Sequence, residues 1–182
     1  GQRRVREKRD RPDDGNRVRV APAPPALCAG PHILNRGVLI METALETITL
    51  GNGFTFNYAA VTGGTYIEYN GIRLTEIGKG MARGGIDIRP ELLNPNKVLH
   101  GGVFGTLADT VAIFGCIYMY EVATVTTVNL TLSYLKPAKS GTVSAAARML
   151  SQGKSISHWQ VDMTDDEGRL LAVASVSYSI KR

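Results

Sequence analysis

Cysteine and histidine are scarce in this 182-residue chain, which has two of the first and three of the second. Cys28 and Cys116 lie in segments of unlike composition and are poorly placed to pair. The sequence therefore predicts no disulfide framework and a reducing, cytoplasmic setting. His32, His100 and His158 show no ligand spacing, and no cysteine cluster accompanies them. These absences argue against a disulfide-rich scaffold and predict that the protein binds no metal.

A basic bias is also absent from most of the chain, although the formal net charge is +5. Residues 1–40 hold nine Lys or Arg and four Asp or Glu, a difference of +5, whereas residues 41–182 hold twelve of each, a difference of zero. The high pI therefore comes from residues 1–40 alone. Because the charges of the remaining residues balance, the sequence predicts no nucleic-acid partner. No apolar signal sequence or membrane-spanning run is recognisable, so we expect no membrane association.

Two segments precede the regular part of the chain. Residues 1–40 pass through A-P-A-P-P-A without apolar periodicity, and we expect a disordered tail, native or added, whose removal leaves stability and function unchanged. An RNA- or membrane-binding arm and a mitochondrial transit peptide are alternatives, with several acidic residues counting against the latter. Residues 41–70 fit a hairpin that turns at Asn52-Gly53, but also a lid or an interface segment.

The stretch from Asn94 to Tyr120 predicts one long core helix. It is apolar at nearly every position after Val103, and a helix that is apolar on all sides is usually buried. Asp109 interrupts it, and the apolar run that follows is too short to cross a membrane. A carboxylate inside a core helix must be paired, hydrogen-bonded or used in chemistry, because its burial is otherwise costly.

The predicted helix has two unlike faces at helical spacing. We expect the bulky face to be core and the small face to admit a second backbone or a ligand close to the acid. At the front end, the glycines after His100 leave backbone N–H groups open at the positive end of the helix dipole, where they can hold an anion or a polarised carbonyl oxygen. The bulky face comprises Phe104, Leu107, Val111, Phe114 and Tyr118, and the small face Gly102, Gly105, Asp109, Ala112 and Cys116.

Strand-like segments flank this helix on both sides. Two short ones alternate around a turn at Gly78–Gly80, and four follow the helix, separated by short turns. Strands joined by short turns are antiparallel, which predicts an α+β layer with the helix on a curved sheet. In the first of the four, alternation assigns Val128, Leu130, Leu132 and Tyr134 to one face, and Thr127, Asn129, Thr131 and Ser133 to the other. The four segments are 125–135, 143–150, 156–164 and 170–180.

The run L-N-P-N-K-V-L-H-G-G-V-F-G-T-L-A-D-T, with L-S-Y-L-K-P-A-K and L-A-V-A-S-V-S-Y after it, resembles the hotdog-fold thioesterases, and most closely the phenylacetyl-CoA thioesterase (PaaI) type. The resemblance covers residues 71–180, within a predicted domain of residues 71–182. It implies a five- or six-stranded antiparallel sheet wrapped around one long central helix. It further implies a homodimer or a tetramer of such dimers, with the active site at the dimer interface.

The resemblance also implies roles for matching residues. Asp109 corresponds to the acid that activates or orients the attacking water, and Thr127 to a residue that helps to place that water. The N–H of Gly101 corresponds to the oxyanion donor, with Asn94 helping to hold the thioester carbonyl. For His100, a catalytic role and a structural role at the start of the helix both remain open.

The same resemblance places the CoA part of an acyl-CoA substrate, with no other cofactor, against two turns. The lysines of these turns could meet the CoA phosphates, although lysines in turns are as often merely solvated. Acyl-CoA thioester hydrolysis is thus the predicted function. The alternatives are a non-catalytic hotdog module that binds acyl-CoA and a hotdog hydratase or dehydratase. The substrate-binding candidates are Gly102, Tyr134, Lys136, Lys139, Gly153 and Lys154.

Overall fold

The computed structural model describes residues 43–120 and 124–181. The predictions about the tail (residues 1–40), including Cys28 and His32, fall outside these ranges and remain predictions. Within the described ranges, the chain forms a small N-terminal segment followed by a sheet that curves around one helix.

The N-terminal segment begins with the predicted hairpin. Strand β1 (Thr47–Thr49) pairs antiparallel with β2 (Thr55–Asn57). In the turn, the side chain of Asn52 accepts a hydrogen bond from the Phe54 N–H at 2.9 Å, and Gly53 has a φ of 85°. Glycine adopts this left-handed conformation without steric cost, which is why the local sequence was sufficient to indicate the turn.

Two short helices follow that the sequence analysis did not identify. They are α1 (Tyr58–Thr62) and α2 (Tyr66–Asn70), and each is five residues long. The side chains of Asn57 and Thr65 cap their N-termini, and Gly71 ends α2 in the left-handed region at a φ of 72°. A helix of five residues is too short to show helical periodicity in its sequence. The two helices are therefore evident only in the structure.

The main sheet has six antiparallel strands and one helix on its inner face, which confirms the predicted α+β architecture. A 3-10 turn at Pro90–Leu92 precedes the helix, α3 (Gly101–Tyr120). The strand order is β3-β4-β6-β7-β8-β5, so β3 and β5 form the two edges. The strands are β3 (Arg73–Gly78), β4 (Met81–Asp87), β5 (Thr124–Tyr134), β6 (Thr142–Gln152), β7 (Ile156–Thr164) and β8 (Leu170–Lys181).

Helix α3 contacts all six strands of the main sheet, yet it is not buried on every side. Most of the predicted bulky face is core, with Tyr118 only half-buried, but the predicted small face is divided. Ala112 and Cys116 are buried under the sheet, whereas Gly102 is exposed and Asp109 is half-buried. The expectation of a fully buried carboxylate is therefore wrong for the single chain, because one side of α3 is left uncovered by the sheet.

Helix α3 is long and apolar enough to cross a membrane by length and composition alone. In this fold it is instead the core helix of the domain, with Leu107, Ala108 and Val111 fully buried against the sheet. Its apolar character is explained by that packing.

In β5 and β8, a bulge interrupts the alternation of residues between the two faces of the sheet. In β5 the register shifts between Thr127 and Asn129, so Val128 is exposed and Thr127 lies on the helix side with Leu130. The face assignment for this strand was therefore wrong up to the bulge, since one extra residue reverses the phase of alternation. A shift at the start of β8 likewise buries Leu171 and leaves Leu170 37% exposed.

Candidate active site

The carboxylate of Asp109 lies midway along the uncovered side of α3, where β5 passes it. Thr127 donates a hydrogen bond from Oγ1 to Oδ1 of Asp109 at 2.8 Å. The bulge at Val128 makes this contact possible, because it turns Thr127 toward the helix. The structure therefore brings together two of the residues for which the sequence predicted a role.

A third residue, to which the sequence analysis assigned no role, also contacts this acid. The hydroxyl of Tyr178 on β8 lies 3.0 Å from the backbone oxygen of Asp109 and 3.2 Å from its Oδ1, and donates toward both. Tyr178 is fully buried, and burial together with the neighbouring charge of Asp109 raises the pKa of its hydroxyl far above the ordinary value. The sequence contained one indication of this contact, since Tyr178 lies in a strand rich in alanine and valine. A tyrosine hydroxyl that is buried in such a strand generally has a hydrogen-bond partner.

Asp109 opens into a groove of about 500 Å³, called here the Asp109 groove. Its floor is the glycine-rich side of α3, and its far wall is α2, which the sequence analysis did not connect with the site. Apart from Asp109, the lining is uncharged and largely apolar, so the groove suits an apolar group placed beside one carboxylate. The lining residues are Tyr66, Ile67, Gly102, Gly105, Thr106, Asp109, Thr110, Ile113, Thr127 and Leu130.

His100 acts as a cap at the start of α3. Its Nδ1 accepts a hydrogen bond from the Gly102 N–H at 3.0 Å, and its carbonyl accepts one from the Val103 N–H at 2.9 Å. Because Nδ1 is an acceptor, the neutral ring carries its proton on Nε2. These contacts favour the structural alternative for His100, since its ring and its backbone carbonyl each accept a hydrogen bond from one of the first N–H groups of α3, which have no partner within the helix.

The Gly101 N–H has no hydrogen-bond partner among the described residues, so it remains available at the positive end of α3. Gly101 faces a second cavity of about 340 Å³, called here the Gly101 pocket. The Tyr134 hydroxyl donates to the Gly101 carbonyl at 3.0 Å and lies 3.1 Å from where a Cβ would stand. A side chain at position 101 would therefore press on the tyrosine. The pocket is lined by Val98, Leu99, Gly101, Phe104, Tyr134, Leu135, Lys136 and Pro137.

Asn94 lies apart from both cavities in this chain. Its side-chain oxygen accepts hydrogen bonds from the N–H groups of Asn96 at 2.9 Å and Val98 at 3.4 Å. Its backbone N–H donates to the Val98 carbonyl at 2.8 Å, and Lys97 between them has a φ of 59°. Asn94 therefore shapes the loop that leads into α3.

The two predicted reaction groups are distant from each other within one chain. Gly101 and Asp109 are eight residues apart on one helix, which corresponds to about 12 Å along its axis. A single thioester carbonyl cannot contact both. Of the CoA-binding candidates, Tyr134 and Lys136 accompany Gly101, while Gly102 lines the Asp109 groove.

The remaining CoA-binding candidates lie elsewhere. Gly153 is at the opposite end of α3, where its carbonyl accepts a hydrogen bond from the Tyr120 hydroxyl at 3.0 Å. Lys154 beside it and Lys139 are both exposed and do not line either cavity. One chain therefore does not bring all the predicted substrate-binding residues together. Among the described residues, no group of three His, Cys, Asp or Glu side chains is arranged to hold a metal ion.

Comparison with known proteins agrees with this architecture. The thioesterase superfamily model matches residues 96–172. A Mycobacterium tuberculosis protein, provisionally named an esterase, is 32% identical over 110 residues, which are 58% of this chain and 79% of the relative. The 1,4-dihydroxy-2-naphthoyl-CoA hydrolase of Listeria monocytogenes is 27% identical over 116 residues, 63% of this chain and 94% of the relative.

A solved structure supports the same relationship in three dimensions. The crystal structure of a thioesterase from Haemophilus influenzae superposes with a TM-score of 0.63 at 27% sequence identity, covering 68% of this chain and 87% of that one. The region that the family model matches contains the long helix α3 and strands β5, β6 and β7. The chain therefore belongs to the thioesterase superfamily and is a thioester hydrolase with the hotdog fold.

Proposed function

We propose that the protein hydrolyses an acyl-CoA thioester to a free acid and CoA, with Asp109 as the general base. The observation that carries this proposal is the position of Asp109, the one carboxylate that lines the described groove, held by Thr127 and open to an apolar space. A thioester needs a base for water and a donor for the developing oxyanion. A module that only binds acyl-CoA has no need of a carboxylate beside the acyl group.

The reaction proceeds in two steps. A water oxygen attacks the thioester carbonyl carbon while Asp109 takes a water proton, and a backbone N–H donates to the oxyanion that forms. The carbon–sulfur bond then breaks, and the CoA thiolate leaves and takes the proton from Asp109, which restores the ionised base. Each oxyanion donor of this kind typically contributes about 3–4 kcal/mol to catalysis.

The active unit in this proposal is a dimer whose sites are shared. Because Gly101 and Asp109 of one chain are about 12 Å apart along α3, the oxyanion donor opposite Asp109 is the partner's Gly101. Two features support pairing. Among the described strands, the eleven-residue β5 lies at an edge with one side unpaired, and such edges pair readily with a second chain. The uncovered side of α3 also exposes small residues that allow close approach.

In this dimer, one substrate molecule extends from the Asp109 groove of one subunit to the Gly101 pocket of the other. The acyl group occupies the Asp109 groove, where Ile67, Ile113 and Leu130 offer apolar contacts. The CoA part lies near the partner's Gly101 pocket, where Lys136 is placed to meet a phosphate. The groove is small and uncharged apart from the base, which favours a compact, uncharged acyl group.

The test is thiol release from a panel of acyl-CoAs by the wild-type protein and by Asp109→Asn. We expect Asp109→Asn to fold normally and to lose kcat by about a hundredfold or more with little change in KM, the usual size of a general-base loss. Asp162→Asn is the matched control, since Asp162 accepts a hydrogen bond from Gln160 and does not line the groove. Acyl-CoA binding with no thiol release above that of Asp109→Asn would favour the non-catalytic module.

A further inference from the structure

The carboxylate of Asp109 is held on one oxygen by two hydroxyl groups from neighbouring strands. Thr127 and Tyr178 are paired directly across β5 and β8, and both side chains reach Oδ1 of Asp109, at 2.8 Å and 3.2 Å. We propose that Tyr178 is a positioning residue which, with Thr127, fixes Oδ1 so that Oδ2 is directed to the attacking water. This inference rests on the proposed role of Asp109 as the base.

The Tyr178 hydroxyl is suited to act as a permanent donor. Burial raises the pKa of this hydroxyl most, and the negative charge of Asp109 raises it further. The hydroxyl therefore keeps its proton at every pH at which the protein would be assayed. Both of its acceptors, the backbone oxygen and Oδ1, belong to Asp109. The hydroxyl therefore restrains the side chain relative to its own helix backbone, which limits rotation of the carboxylate.

The other carboxylate oxygen is left free by this arrangement. No donor among the described residues contacts Oδ2. Every buried side-chain nitrogen or oxygen among those residues has a hydrogen-bond partner, so the unpartnered Oδ2 must be accessible to solvent. Because Asp109 lines the groove, Oδ2 is the oxygen that a water molecule in the groove can meet.

Few other titratable groups face this carboxylate. Tyr66 lines the groove from α2, and Cys116 lies near the Tyr178 hydroxyl on α3. Burial raises the pKa of Cys116 to about 11, so its thiol, like the Tyr178 hydroxyl, stays neutral at moderate pH. The buried residues of β3, β4, β6 and β7 include no titratable side chain, and β5 contributes Thr127. These are the titratable groups that the described part of one chain places beside the carboxylate, so a carboxyl-carbon NMR titration decides whether a change in the low-pH limb of activity belongs to Asp109.

The first experiment is Tyr178→Phe, which removes the hydroxyl and keeps the ring. A donor to the ionised carboxylate favours ionisation, so its loss makes protonation easier. We expect the acid limb of the kcat profile to move to higher pH, with a several-fold lower plateau and unchanged KM. The same shift should appear in the carboxyl-carbon NMR titration of the substrate-free protein.

The matched control is Tyr58→Phe. Tyr58 is also largely buried, and its hydroxyl donates to the Ile72 carbonyl at 3.1 Å, but it does not line the groove. We expect a loss of thermal stability similar to that of Tyr178→Phe and no displacement of the acid limb. Equal profiles for the two variants would show that Tyr178 only fills the core.

A second experiment places Tyr178→Phe in the Asp109→Asn background. If Tyr178 acts through the carboxylate, the double variant should retain the residual activity of Asp109→Asn. The same fold-loss in both backgrounds would overturn the inference. If Asp109→Asn keeps normal turnover, Asp109 is not the base and the proposed function fails. If Asp109→Asn is inactive but the acid limb of the kcat profile is the same in Tyr178→Phe as in the wild type, only the proposed role of Tyr178 fails.

Discussion

Thr127 reaches the carboxylate of Asp109 across a 2.8 Å hydrogen bond only because β5 carries a bulge at the next residue, Val128. Without the extra residue, alternation would place Thr127 and Leu130 on opposite faces of the sheet. The bulge therefore puts a polar donor and an apolar contact on the same side of one strand. This combination is what a site for an acyl group beside a base requires.

The first prediction concerns that hydroxyl. Thr127→Val should lower kcat about tenfold while KM changes little, because the carboxylate loses the shorter of its two hydroxyl contacts, and Thr127→Ser should retain most of the activity. Steady-state kinetics on both variants measures this. Thr126→Val, one residue earlier on the exposed face, is the control and should match the wild type. Equal activity of Thr127→Val and Thr126→Val would contradict the prediction.

The second prediction is that the sites are shared between two subunits. Asn94→Ala disturbs the loop that leads to Gly101, and Asp109→Asn removes the base, so each variant alone should be nearly inactive. Unfolded and refolded together, they should regain activity, since a mixed two-fold dimer contains one site in which both parts are intact. Confirmed mixed dimers that are no more active than the separate variants would mean that each site lies within one chain.

The third prediction compares two glycines of α3. A Cβ at Gly115 would stand 2.8 Å from two ring carbons of the buried Trp159, whereas one at Gly105 would meet Leu132 at an ordinary 3.4 Å. Gly115→Ala should therefore lower the free energy of unfolding by about 1–2 kcal/mol, because overpacking exceeds the gain in helix propensity. Gly105→Ala should leave stability equal or slightly higher but raise KM, since it narrows the Asp109 groove. Urea unfolding and kinetics distinguish the two.

The fourth prediction concerns pH and the edge hairpin of β3 and β4. Arg73 forms two hydrogen bonds with Asp87, at 2.7 and 2.8 Å, and this contact lowers the pKa of the Asp87 carboxyl. Because the folded-state pKa lies below the unfolded value of about 3.9, the stabilisation is present above that pH and is lost as the pH falls through the folded-state value. The pair is largely exposed, so we expect no more than about 1 kcal/mol at neutral pH.

The measurement is the free energy of urea unfolding of the wild type and Arg73→Met between pH 7 and pH 2. The difference between them should shrink toward zero at the acid end. Arg148→Met is the control, because Arg148 bonds the amide of Gln160, which does not titrate in this range. A difference for Arg73→Met that stays constant with pH would show that the ion pair is not its cause.

Much of the architecture could be predicted from the sequence, because it depends on local patterns. The apolar run from Val103 to Tyr120 predicted α3, and alternation with turn residues predicted six strands in an antiparallel sheet. The strand order was not predicted, since β5 pairs with β8 and not with the next strand along the chain, β6. The glycine pair after His100 indicated an open helix N-terminus. The lone acid in the apolar run singled out Asp109, since a carboxylate in such a segment needs an explanation.

The surroundings of that acid were decided by the tertiary structure. The bulge that turns Thr127 inward depends on the register of β5 against β8, and that register is set by contacts between residues about fifty positions apart. Tyr178 and Asp109 are 69 positions apart, so nothing local connects them. Alternation can identify which residues of a strand share a face while the strand is regular. It cannot show where the phase changes or which distant side chain then meets the acid, because both follow from how the sheet closes around the helix.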